Sequence, residues 1–88
     1  MKIYFGIDCA PGMVRPDVYA KSVFERLGVE PMSPKSTLFG AWKWEVSVDD
    51  DFNWEDFKLW MKLRMNFLYG KGYIRGAEWD LVPDKSNQ

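Results

Sequence analysis

Eighty-eight residues that are 47% hydrophobic and 17% aromatic are too apolar for a disordered chain and enough for one small core. Twelve basic and 13 acidic side chains leave a net charge of −1, which supplies no electrostatic reason for a nucleic-acid or anionic-membrane partner. Histidine is absent and there is one cysteine, so the commonest general base and metal ligand is missing and no internal disulfide framework exists.

Residues 2–8 read as a strand, because Ile3, Phe5 and Ile7 alternate with Lys2, Tyr4, Gly6 and Asp8. A loop with Pro11 and Gly12 follows. Pro16 suits the first turn of a helix, and Asp17 complements the positive end of its dipole. Tyr19, Ala20, Val23, Phe24 and Leu27 form one apolar stripe, and Gly28 is placed as a left-handed stop. Pro31 and Pro34 make Glu30 to Lys35 a connector.

From Ser36 to Val48 the pattern is extended, with Trp42, Trp44, Val46 and Val48 alternating with Lys43, Glu45 and Ser47. Two arrangements fit. Gly40-Ala41 is the two-residue turn of a hairpin joining Thr37–Phe39 to Trp42–Val48, or Gly40 is a bulge in one long strand. The hairpin is the preferred reading. Asn53 then caps a second helix with Glu55 and Asp56 in its first turn, and Gly70-Lys71-Gly72 ends it. Tyr73 to Val82 is the last strand, with Tyr73, Ala77, Trp79 and Leu81 on one side, and 83–88 is a flexible polar tail. A short echo links Gly40–Val46 to Gly76–Leu81, where Trp44 matches Trp79 and Val46 matches Leu81 after one inserted residue.

The order strand–helix–strand–strand–helix–strand over residues 1–82 is that of the α+β, ferredoxin-like split βαβ sandwich, with two helices on one face of an antiparallel sheet. The open face is expected to carry Tyr4, Lys43, Glu45, Ile74, Glu78 and Asp80. If Gly40 is only a bulge, the alternative is a three-stranded sheet with two helices.

The second helix is apolar on too many sides. Wound at about 100° per residue, Trp54, Phe57, Met61, Met65 and Leu68 fall on one stripe and Leu59, Trp60, Leu63 and Phe67 on another. Together they cover an arc of about 240°, where a surface helix needs little more than about 100°. The first helix can cover part of the second stripe. What remains reads as a partner-binding patch of Trp60, Leu63 and Phe67, with Leu59 at its edge and Arg64 and Asp56 as polar contacts at its margin. The partner is another protein, or a second copy in a homodimer.

Three further patterns bear on chemistry. Cys9 and Arg15, five residues apart between a strand and a helix, resemble the Cys-x5-Arg phosphate loop of protein tyrosine phosphatases, of the low-molecular-weight class in position. That resemblance implies a phosphatase-like enzyme with a Cys9 nucleophile, an Arg15 phosphate clamp and Asp84 as general acid. Against it, Pro11 removes an N–H from the cradle, Asp8 raises the thiol pKa and repels phosphate, and Pro16 stands where the family has a hydroxyl. Asp49, Asp51 and Asn53 match the first ligands of a calcium loop, but Trp54 and Trp60 stand where Gly and Glu are required, so no metal is assigned and the run 49–56 is read as helix-dipole complement and acidic rim. An open sheet face with only Tyr4 among acids is a poor surface for stacking bases, and its charge argues against the alternative of a nucleic-acid-binding protein.

The expectation is a cytoplasmic protein-binding module without cofactor and without enzymatic activity. No apolar run suits a signal peptide or membrane span. Short, Trp- and Met-rich chains of this kind resemble phage or mobile-element accessory proteins that bind and block a host protein.

Overall fold

The computed structural model describes residues 1–10, 12 and 14–83, and the tail segment 84–88, together with Pro11 and Met13, lies outside the described residues. The elements in order are β1 (Lys2–Asp8), α1 (Pro16–Leu27), β2 (Ser36–Leu38), β3 (Ala41–Ser47), α2 (Trp54–Gly70) and β4 (Gly76–Leu81). The strands form one antiparallel sheet in the order β2-β3-β1-β4. This is the α+β, ferredoxin-like arrangement. The described residues make four strands, not the three of the alternative.

Strand β1 is central because alternation makes every second residue of it apolar and both neighbours match that phase. Phe5 pairs with Trp44 on one side and with Trp79 on the other, and Ile3 pairs with Val46 and Leu81. The echo between the two Trp segments is therefore spatial: β3 and β4 bracket β1 with Trp44 and Trp79 both opposite Phe5. Phe5 stacks on Trp44 with ring centroids 5.1 Å apart, and Phe24 of α1 meets both edge-on at 5.7 and 5.9 Å. The Trp44 indole N–H donates to the Met32 carbonyl at 3.0 Å, which ties the proline-rich connector to the sheet.

Both helices cover this one face. Helix α1 buries Pro16, Ala20, Val23, Phe24 and Leu27, while α2 buries Phe57, Met61, Met65 and Leu68. Each of these large side chains is worth about 1.5–3 kcal/mol of burial. Asn53 caps α2 by accepting from the Asp56 N–H at 3.0 Å. Both helices end in the same way, with a left-handed glycine, Gly28 at φ 74° and Gly72 at φ 75°. At each end the next residue's N–H reaches back to satisfy an orphan carbonyl, Val29 to Phe24 and Tyr73 to Leu68.

Three local details differ from the sequence reading. The hairpin is present, but its turn is Phe39-Gly40, since Leu38 pairs with Ala41. Both turn residues are left-handed, Phe39 at φ 52° and Gly40 at φ 84°, which matches the twist of a two-residue hairpin. The register of β3 on β1 fixes this, because Ala41 must already pair with Asp8. Strand β4 begins at Gly76, not Tyr73, because the chain uses residues 71–75 to close α2 and cross the sheet end. Tyr73 instead stacks on Tyr19 of α1 at 6.1 Å. Ile74, expected on the open face, is buried in the core, since it lies before the strand and outside its alternation.

Phe39 is a bulky residue in a conformation that costs L-residues about 1–2 kcal/mol. Its side chain is 81% exposed and returns little of that cost through burial. Phe39→Asn is expected to raise the denaturation midpoint with an unchanged m-value, by about 1 kcal/mol in equilibrium unfolding. Gly40→Ala supplies the contrast. A Cβ there would stand 2.4 Å from the Cys9 carbonyl oxygen, so that substitution is destabilising.

Candidate functional site

The face of α2 turned away from the sheet carries Leu59, Leu63 and Phe67, each one helical turn after the last. They are 58%, 64% and 52% exposed. Three large apolar side chains in a row are thus left in water although the opposite stripe already suffices to cover the sheet. The row is an apolar strip along the outer ridge of the molecule.

Its margins are polar and defined. On the side facing α1, Trp60 is half-buried, packed on Phe57 at 6.1 Å and covered by the Arg26 guanidinium at 5.9 Å from its ring. Asp56 pairs with the same Arg26, so the two helices are joined at the start of α2 by an Arg26–Asp56–Trp60 cluster. Glu55 is held by Lys58 at 2.9 Å. At the other end Lys71 lies over the Phe67 ring at 5.6 Å.

Of the residues singled out in the sequence, Leu59, Leu63 and Phe67 all lie in the exposed strip. Trp60 forms its wall, half-buried between Phe57 and the Arg26 guanidinium. Asp56 belongs to the helix–helix contact. Arg64 stands one turn beyond Trp60, partly buried, and its Nε is out of water with no hydrogen-bond partner. No carboxylate pairs with it among the described residues.

Sequence reading missed a second apolar projection. Leu38 and Phe39, 64% and 81% exposed, form the tip of the β2–β3 hairpin. Placing Phe39 in the turn required the strand register, which local sequence does not carry.

The Cys9–Arg15 pattern does not assemble into a phosphate cradle. Cys9 is buried, its N–H donates to the Gly40 carbonyl at 3.1 Å, and the hairpin tip covers it. Burial pushes the thiol pKa up, and the neighbouring Asp8 charge pushes in the same direction against a smaller pull from Arg75. Arg15 is turned elsewhere, paired with Asp17 at 2.8 Å and lying 5.1 Å over the Trp42 ring. The Asp17 carboxyl is correspondingly held below its usual range. Asp84, the general acid of that reading, lies outside the described residues.

Three acids of the run 49–56 serve separate contacts, Asp50 with the Met1 amino group, Glu55 with Lys58 and Asp56 with Arg26. Among the described residues no three carboxylates converge as a cation site. The open sheet face presents one aromatic, Tyr4, whose hydroxyl donates to Glu78 and whose ring lies near Lys43 at 5.9 Å. Partial burial, then the Glu78 contact, raise the Tyr4 pKa. Glu45 and Asp80 flank it in the pairing register. No helix among the described residues is long and apolar enough to cross a membrane.

No protein-family model, no curated protein and no solved structure matches this chain.

Two measurements follow from these placements. Native Cys9 should react with a thiol reagent at pH 8 far more slowly than the same chain in denaturant. A folded thiol pKa above its ordinary value of 9.0 means that stability is full below that value and falls as pH rises past it, a fall that Cys9→Ala should reduce. Arg64→Met should raise the melting temperature by a few degrees, since it removes a desolvated polar atom without a partner, worth about 1 kcal/mol.

Proposed function

We propose that this protein is a small binding module that docks on another protein through the outer ridge of α2, with Leu59, Leu63 and Phe67 as its apolar anchors. The observation that supports this reading most is that ridge itself. Leaving three such side chains unburied forgoes about 1.5–3 kcal/mol each, a large sum for a domain of this size. Their one-turn spacing suits insertion into a groove or against a second helix, and the half-buried Trp60 and the charged margin give the shape and direction that a hot spot requires. Trp60, Arg64 and Asp56 then act as wall and rim. Blocking the surface of the bound protein, in the manner of a phage or mobile-element accessory protein, is the role that fits a small domain presenting such a ridge.

The test is a capture experiment with the folded protein as bait. Leu63→Asp combined with Phe67→Ser should leave the melting temperature within a few degrees of the parent and remove the captured partner. Sedimentation should show a monomer before and after. A partner retained by the folded double variant, or a dimer dissolved by it, would overturn this reading.

A further inference from the structure

The charge on α2 and its continuation is segregated to a degree that the net charge hides. Residues 49–56 hold five acids and no base, whereas residues 57–77 hold five bases and no acid. Within the second segment Lys58 is engaged by Glu55 and Arg75 by Asp8. Lys62, Arg64 and Lys71 have no carboxylate partner among the described residues. These three surround the exposed ridge: Lys62 on its outer flank, Arg64 on the flank toward α1, and Lys71 at its C-terminal end over Phe67.

Arg64 is the most informative of them. Its Nε is removed from water and has no hydrogen-bond partner, so an incoming carboxylate would meet the terminal N–H groups of the guanidinium. The planar fork of a guanidinium suits a carboxylate, which accepts two parallel N–H bonds. We infer that the ridge recognises an acidic, amphipathic segment of a partner protein, whose apolar side chains cover Leu59, Leu63 and Phe67 while one carboxylate engages Arg64. This inference rests on the docking reading above and specifies its ligand.

An anionic membrane would also be drawn to bases beside an apolar strip, but two observations favour the peptide. The helix is 17 residues, about 25 Å long, and laying it on a bilayer brings the acidic turn at its start onto the same negative surface. Arg64 is also partly buried, and a single side-chain carboxylate can reach it more readily than a plane of headgroups. The acidic cluster lies at the far end of the helix, beyond a Debye length of about 8 Å, so it leaves the basic half attractive to acids.

The experiment selects binders from a random 16-residue peptide library displayed on phage, with the whole folded chain as bait, and measures the selected peptides against three variants. The expected result is peptides enriched in Asp and Glu beside apolar residues, lost on Leu63→Asp, weakened about tenfold or more by Arg64→Gln, partly restored in Arg64→Lys, and weakened by added salt. Thermal unfolding of each variant confirms that the fold is retained. Peptides that need Leu63 but show no acidic enrichment, or that ignore Arg64→Gln, overturn the inference and leave the docking reading standing. If no selected peptide depends on Leu63, both fall. Vesicles containing 30% phosphatidylserine serve as the second probe, and binding to them that Leu63→Asp and Arg64→Gln both abolish would replace the peptide with a lipid surface and overturn the inference.

Discussion

The structure depends on Phe5. It lies in the central strand, paired across the sheet with Trp44 and Trp79, and its ring stacks on Trp44 while Phe24 closes edge-on over both. That cluster fixes three relations at once: the register of β3, the register of β4 and the seat of α1. In a small domain one such aromatic knot carries a large share of the burial, because there are few other layers to distribute it over.

The knot also decides what α2 is left with. Helix α1 is held over the centre of the sheet by Phe24, so α2 settles toward β4 and turns Phe57, Met61, Met65 and Leu68 inward. One face is then fully used. The flank toward α1 is closed by Arg26, which covers Trp60 and binds Asp56 together. The remaining arc, with Leu59, Leu63 and Phe67, has no element to meet it. Exposure of that ridge is a geometric consequence of having two helices and one sheet face, and it persists because extra apolar residues were placed where nothing in the described fold covers them.

Charge follows the same axis. Acids gather where the helix dipole is positive and where Asn53 caps the first turn, which is a structural use of them. Of the bases beyond Phe57, Lys58 and Arg75 are paired with Glu55 and Asp8, whereas Lys62, Arg64 and Lys71 have no carboxylate partner among the described residues. Their excess is invisible in a net charge of −1. The partly buried Arg64 flanks the ridge without a carboxylate partner among the described residues. At the opposite sheet surface the acids and bases do find each other, Lys35 with Glu45 and Lys43 with Glu78. That surface is a solvated face.

The sequence alone determined the element order, the apolar faces and the α+β arrangement, because period-2 alternation in Ile3-Phe5-Ile7 and Trp42-Trp44-Val46 and the glycine stops at Gly28 and Gly72 are local signals. It also located the surplus apolar surface of α2. It did not decide which residues of that surplus stay in water. Leu59 and Trp60 are neighbours in the chain with similar hydrophobicity, and only the position of Arg26 on the other helix covers one and leaves the other exposed. Tertiary structure likewise moved the hairpin turn to Phe39-Gly40, since pairing with β1 thirty residues away overrides local turn preference, and it drew Ile74 into the core. It separated Cys9 from Arg15 by giving each a different partner. Contacts between segments distant in the chain settle these points, and no pattern within a single segment can encode them.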